Sequence, residues 1–247
     1  SMKLMRMAPP LSEDEIENAI SALIISNRSR ENTYMMPFAY FRGSIPGYKS
    51  AYQQPADLFI TAVPTKSTLG SNTGISCCIS SWVRISDNSM PPRAKGISNY
   101  QNSRLVSTEA ELNGYDAGII LNSQGKVSEG AYGCIFTIRN GIVYTPPITA
   151  DILESITRDT IITLLQEDLN IPVQVRDLDR TELYVSDEIF LCGTYAEIDP
   201  VTSVDRYVIG TGNPGPITEK LIALYKKLVY GESNLHQEWI SLINIPD

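Results

Sequence analysis

Lys95 stands in Pro91-Pro92-Arg93-Ala94-Lys95-Gly96-Ile97-Ser98-Asn99-Tyr100, between a rigid Pro-Pro connector and a predicted helix. Its small neighbours Ala94 and Gly96 leave room for a planar ligand to reach the amine. A lysine enclosed by protein loses hydration and becomes a nucleophile able to form a Schiff base with a carbonyl. Other groups have the chemistry to serve the same ligand. Tyr100 follows Lys95 by five residues, about one helical turn, so its phenol can sit beside whatever Lys95 holds. Glu129 lies among small residues in Val127-Ser128-Glu129-Gly130-Ala131, where a buried carboxylate facing a ring nitrogen would keep that nitrogen protonated. Ser155-Ile156-Thr157-Arg158-Asp159 opens a predicted helix, and free N–H groups with the helix dipole favour a phosphate there. Gly193-Thr194-Tyr195 is a turn after a strand, with backbone donors and a hydroxyl. Singly, each has a plain structural explanation: a solvated lysine, a surface aromatic, a strand-end charge, a helix cap, an ordinary turn.

The elements that must position these groups are legible in part. Ser12-Glu13-Asp14-Glu15 is a capping box that starts a helix over 13–25, with Ile16, Ile20, Leu23 and Ile24 as its buried stripe. Strands are expected over 34–41, 57–63 and 74–84, with a mobile loop over 42–55. The polar stretch 86–93 ends in prolines and is the expected connector between an N-terminal α/β subdomain, 1–85, and a C-terminal subdomain, 94–247. A helix over 98–112 stops at Asn113-Gly114, and a strand follows over 117–122. Residues 127–145 pattern as strand, turn and strand, with Asn140-Gly141 as the two-residue hairpin signal. An amphipathic helix over 157–169, strands over 173–177 and 188–191, and a last helix over 217–230 opened by Pro216 complete the pattern. The fold class is mixed α/β.

Composition narrows the chemistry. A net charge of -8 argues against nucleic-acid binding, which needs a basic surface. No apolar run is long enough to span a membrane, and no secretory signal pattern is present. Cys77, Cys78, Cys134 and Cys192 lack zinc-ligand spacing and are expected as buried thiols in a reducing, cytoplasmic compartment. With His236 as the only histidine, neither a metal site nor a Ser/His/Asp triad is expected. Acid–base work near neutral pH then falls to lysine, tyrosine or carboxylate.

Taken together, a Schiff-base lysine, a carboxylate for a ring nitrogen and a phosphate cup are the parts of a pyridoxal 5'-phosphate site. Over residues 74–232 the chain resembles the fold-type IV pyridoxal-phosphate enzymes, the class IV aminotransferases, and most of all their branched-chain amino acid group. The segments that carry this are SSWVR, AKGISNYQNSRL, GYDAGIILNSQGKVSEG, GIVYTPPITADILESITRD, LYVSDEIFLCGTYAEIDPVTSVD and GPIT. The resemblance implies transamination between a branched-chain or similar hydrophobic L-amino acid and a 2-oxo acid. Lys95 would form the internal aldimine and shuttle the proton between substrate Cα and cofactor C4′. Tyr100 would bond the cofactor's phenolic oxygen and Glu129 its pyridine nitrogen. The amides of Ile156 and Thr157, the Thr157 hydroxyl and Thr194 would hold the phosphate. The Thr194-Tyr195 turn would meet the substrate carboxylate, with Trp82 and Tyr34 lining the pocket. A homodimer or higher homo-oligomer is implied as well.

The chain departs from the family at several places. The motif after the glutamate runs E-G-x-G-E-N; here Gly133 and Cys134 replace its second glutamate and asparagine. Met36 stands where the family has an arginine for the second carboxylate of glutamate, and Tyr195 where a small residue is usual. The family carries several dozen more residues ahead of the first helix, with an arginine for the phosphate, so a shortened N-terminal subdomain is expected. Alternatives on the same fold are a D-amino acid aminotransferase, a lyase, a specialised biosynthetic aminotransferase, or a non-catalytic homologue.

Overall fold

The computed structural model describes residues 1–42, 55–70 and 73–246; most of the loop expected over 42–55 lies outside the described residues. The chain packs as two units, Ser1–Ser67 with Glu238–Asp247, and Thr68–Gln237. The stretch 86–93 falls inside the second unit.

In the first unit, α1 (Glu13–Ser26) starts at the expected capping box. The Glu15 amide donates to Ser12 Oγ, and Glu15 Oε2 accepts the Ser12 amide at 2.7 Å. Strands β1 (Thr33–Phe41) and β2 (Ala56–Pro64) pair antiparallel along their whole length. Phe38 lies opposite Phe59, their rings stacked at 5.0 Å.

The second unit is built on a nine-stranded mixed sheet. Its strands are β3 (Ile75–Val83), β4 (Ala117–Leu121), β5 (Val127–Gly130), β6 (Cys134–Arg139), β7 (Ile142–Thr145), β8 (Val173–Val175), β9 (Glu188–Gly193), β10 (Glu197–Val204) and β11 (Tyr207–Val208). The order is β5-β4-β3-β10-β9-β6-β7-β8, with β11 on β10. Strands β6 and β9 are almost continuously apolar because both their faces are covered. On one face Phe136, Ile138, Phe190 and Cys192 pack against Ile161, Leu164 and Leu165, and against Leu221 and Leu228. The former lie on α3 (Ile156–Thr163) and the π-helical turn Leu164–Asp168 that continues it; the latter lie on α5 (Pro216–Val229). On the other face Ile135, Leu191 and Val201 pack with Leu178 and Leu183, the last on the short α4 (Arg180–Tyr184). Phe136 and Phe190 are register partners, stacked at 4.9 Å. Asn140 and Gly141 have φ of 52° and 77°, the left-handed pair that a tight hairpin between β6 and β7 requires.

Helix α2 (Tyr100–Leu112) lies on β4 so closely that a Cβ at Gly118 would stand 2.4 Å from Val106 Cγ1. It begins two residues later than expected, since 94–99 are turns. The start of α5 is closed by a carboxylate far away in sequence. Glu188, buried on β9, accepts the Ile217 amide at 3.0 Å, the Thr218 amide at 2.8 Å and the Thr218 hydroxyl at 2.6 Å. Gly215 makes room for it, because a Cβ there would stand 2.1 Å from Glu188 Cδ.

Replacing Glu188 with Ala strands these three donors in the interior. We expect a loss of ~2–4 kcal/mol, with Glu188→Gln losing less because it keeps one acceptor. Urea denaturation midpoints measure both; a loss below ~0.5 kcal/mol would mean that α5 does not depend on this cap.

Candidate active site

Glu129 lies on β5 opposite Ile120 of β4 and is 7% exposed. Its carboxylate has two partners. Oε1 receives Nη2 of Arg84 at 2.8 Å, and Oε2 receives the Leu153 amide at 3.0 Å. Arg84 is itself buried at the end of β3; its amide donates to Leu121 O and its Nε to Asp151 O at 3.1 Å. Burial pushes the Glu129 carboxyl above its ordinary range, while the Arg84 guanidinium and the Leu153 amide pull it back. The result is a carboxylate in an apolar setting with a fixed cation behind it.

Three residues beyond Leu153, helix α3 begins. Ser155 is its N-cap, with the hydroxyl accepting the Arg158 amide at 3.3 Å. The amides of Ile156 and Thr157, at the first two helical positions, have no partner within the helix. Thr157 is 8% exposed and Ile156 is 86% exposed, so the helix start offers donors at the boundary between core and surface. Arg158, the next residue, is buried; its Nε donates to Thr145 Oγ1 at 3.2 Å and its Nη2 to Pro146 O at 2.9 Å.

Lys95 is exposed, in a chain of turns from Pro91 to the start of α2. Asn99 fixes that chain. Its Nδ2 donates to both Pro91 O at 3.0 Å and Ala94 O at 2.8 Å, and the residue is buried. Asn99 is also the N-cap of α2, yet its side chain makes no cap bond. It is committed to the lysine turn instead. Tyr100, the first residue of α2, thus leaves from the same fixed point. On the other side Arg93 Nε donates to Glu154 Oε1 at 2.7 Å, next to Leu153 and Ser155. The lysine turn, the Glu129 carboxylate and the start of α3 are therefore tied together through 153–155.

Trp82, half-exposed, lies two residues before Arg84 on β3. Thr194 and Tyr195 lie exposed in the three-residue turn between β9 and β10. That turn approaches the β5–β6 turn: a Cβ on Gly193 would lie 3.3 Å from Tyr132 O. Gly133 is closer still, its Cβ position only 2.4 Å from Cys192 O. Tyr132 donates its hydroxyl to Asp199 Oδ2 at 3.2 Å; burial, with this carboxylate, raises its pKa. Tyr34 belongs to the first unit, on β1.

All four cysteines are free and buried, as expected. Burial raises the Cys78 thiol to about 11 and the Cys134 thiol to about 12. His236 pairs with Asp168 at 2.9 Å, at the end of the π turn.

Residues 1–204 match the family model described as amino-transferase class IV. The chain belongs to the class IV aminotransferases. Among curated relatives, this aminotransferase is similar to the probable branched-chain-amino-acid aminotransferase of Aquifex aeolicus. The two are 40% identical over 230 residues, which is 93% of this chain and 74% of the relative. Among solved structures it is similar to the holo, PLP form of the branched-chain amino acid aminotransferase from Thermobaculum terrenum, with TM-score 0.95 and 43% identity. That match covers 99% of this chain and 79% of the other. It is similar also to the T.th. branched-chain amino acid aminotransferase complexed with N-(5'-phosphopyridoxyl)-L-glutamate. There the TM-score is 0.92 and the identity 33%, over 98% and 79% of the two chains.

Of the residues expected from the sequence, Lys95, Tyr100, Ile156, Thr194 and Tyr195 are exposed while Glu129 and Thr157 are buried, and the groups that support them carry no local signal. Arg84, Asn99, Leu153 and the Arg158 guanidinium act through partners that no local pattern announces. The one signal that pointed inward was the SSWVR segment, whose arginine ends a strand otherwise poor in charge.

Removing the cation tests the Arg84–Glu129 pair. Arg84→Met leaves Glu129 buried with only an amide for company, a loss of ~3–5 kcal/mol near neutral pH. Its carboxyl pKa then rises further above the unfolded value, so the folded state takes up a proton before the unfolded state does. The deficit relative to wild type should therefore shrink as pH falls from about 7 to about 5. Denaturation at several pH values reads this; a deficit independent of pH would mean that Glu129 does not carry the stranded charge.

Proposed function

We propose that this protein moves an amino group between a branched-chain or similar hydrophobic L-amino acid and a 2-oxo acid, with pyridoxal 5'-phosphate as cofactor. The observation that carries the reading is the buried Glu129 carboxylate with Arg84 behind it, beside a helix start whose first amides have no helical partner. Free first-turn amides are common to helix starts; here they lie beside the buried Glu129–Arg84 pair, an arrangement that a cofactor with a basic ring nitrogen and a phosphate would use. The residues present fit that group. Glu129 would take the pyridine nitrogen, Tyr100 the phenolic oxygen, and Lys95 the aldehyde carbon. The Ile156 and Thr157 amides, the Thr157 hydroxyl and Thr194 would take the phosphate.

Bound there, pyridoxal phosphate supplies an electron sink for the electron pair left at a substrate Cα when its proton departs. The chain's own residues do the rest. Lys95 Nζ takes that proton and returns it on the far side of the transfer, and its position is held by Asn99. Glu129 would accept from the ring nitrogen, with Arg84 at 2.8 Å offsetting part of the burial that raises its carboxyl. The amides of the Thr194-Tyr195 turn orient the substrate carboxylate, and Trp82 presents an apolar face that excludes water. Support for branched-chain substrates comes from the names of the Aquifex and Thermobaculum relatives. The glutamate adduct held by the T.th. relative supports glutamate as the other donor. A homo-oligomer and a cytoplasmic location belong to the same reading; among the described residues no helix is long and apolar enough to cross a membrane.

One observation favours a second reading, an altered amino donor on the same fold. At Gly133 the close backbone of β9 leaves no space for the glutamate that the resembling family carries.

The purified protein, given pyridoxal phosphate, should turn yellow with a visible band that borohydride abolishes, and Lys95→Ala should lack both the band and transamination. Leucine, isoleucine and valine should each discharge the band within a single turnover. Discharge by other donors with no response to these three would favour the second reading. A colourless protein that takes up no cofactor would sink both.

A further inference from the structure

Glu197 stands in a backbone conformation that a glycine would adopt without cost. It is the first residue of β10 and the register partner of Gly193, so it closes the turn Thr194-Tyr195-Ala196. Its φ is 54°, in the left-handed region. Turns of three residues commonly end on a residue of this kind, and the position favours glycine. A long side chain is strained there and persists only where its surroundings fix it. What fixes this one lies far away in sequence. Glu197 Oε2 accepts the Thr68 amide at 2.8 Å.

Thr68 is the residue at which the chain enters the second unit, since Ser67 still belongs to the first. Its neighbour Leu69 is 4% exposed and lies in one apolar cluster with Cys192 and Ile198, the register pair next to Gly193 and Glu197. The entering stretch is thus seated at the base of the turn twice, by Leu69 in the core and by Thr68 on Glu197. Thr194 and Tyr195 themselves are exposed, so burial does little to set where their amides aim.

We propose that Glu197 is a positioning residue for the substrate carboxylate, its bond to the Thr68 amide fixing the outgoing end of the Thr194-Tyr195 turn. This rests on the reading that the amides of that turn meet the substrate carboxylate. It adds what aims them: an acceptor at a position where the backbone alone would call for glycine.

The test uses the enzyme loaded with pyridoxal phosphate and follows discharge of its visible band by leucine. Glu197→Ala should raise the leucine concentration for half-maximal discharge ~10-fold, the effect of one charged hydrogen bond. 4-Methylvaleric acid, which has leucine's skeleton and carboxylate without the amine, should weaken as a competitor by a similar factor. Affinity for pyridoxal phosphate, which keeps Lys95, Tyr100, Glu129 and the start of α3, should change by ~3-fold or less. Glu197→Gln keeps an oxygen for the Thr68 amide and should stay within ~3-fold of wild type for leucine. Glu197→Gly relieves the backbone but offers no acceptor, so it should unfold no earlier than Glu197→Ala and still lose leucine. A merely structural role gives the opposite order, with the glycine variant the most active. Wild-type leucine dependence in Glu197→Gly, loss in Glu197→Gln equal to that in Glu197→Ala, or cofactor weakening in step with leucine each overturns the proposal. Should another amino acid discharge the band instead, the comparison reads that donor, whose α-carboxylate is the same group. If the wild type forms no band, the transaminase reading falls and this proposal with it. If the wild type is active and Glu197→Ala matches it, only the role of Glu197 falls.

Discussion

A carboxylate cannot be buried alone, and the second unit is arranged around the way it avoids this. Inside the protein Glu129 is met by Arg84 at 2.8 Å, which offsets part of the burial that raises its carboxyl. The pair is a mechanical joint as well as an electrostatic one. Arg84 is anchored by its own amide to β4 and by Nε to Asp151, and the other oxygen of Glu129 holds Leu153. Three separate stretches, the end of β3, the end of β5 and the approach to α3, are thereby fixed to one point. Such a pair adds little net stability over an apolar one of equal volume, yet losing either partner is severe. Its value lies in definition: it fixes the site at which the chain can present a charge to a ligand.

Hydrogen-bond satisfaction tells the helix starts apart. Helices α1 and α4 are closed by capping boxes, with Glu15 and Glu182 reaching back to Ser12 and Asp179. Helix α5 is closed by Glu188. Helix α3 has a serine that serves only the Arg158 amide, and so keeps two donors in hand. Helix α2 gives up its cap because Asn99 is needed to hold the turn that carries Lys95. Local rules are kept where the helix is scaffold and relaxed at the two helices that frame the site.

That division explains what the amino-acid sequence disclosed. The capping box at Ser12, the Asn140-Gly141 hairpin and the strands around 75–83 and 117–121 are written in neighbouring residues, and they formed as expected. The strand 197–204 was missed because it contains Asp199 and Pro200. The proline is tolerated because pairing with β3 begins only at Val201. Helix α4 had a visible signal, Asp179 followed by Glu182, that went unused. The candidate site residues carry a signal only as a set, whereas their supports carry none. Arg84 reaches Glu129 from a distant strand, and Arg158 meets Thr145 across the end of β7; pairings of that kind are set by the sheet order, which no local pattern contains. Neither Met36 nor Tyr195 is among the residues with positive φ.

Gly133 is different, and it bears on how this protein could be redesigned. Its α-carbon presses against the backbone of β9, so any side chain there would have to enter space held by the Cys192 carbonyl. Substitutions at that position are not independent choices. To install a larger side chain there, an engineer would first have to move a central strand that also carries Phe190 in the core. Each single step toward a larger residue at Gly133 passes through an overpacked interior. The turn at Thr194 and Tyr195 is open by contrast, because a new side chain there meets solvent.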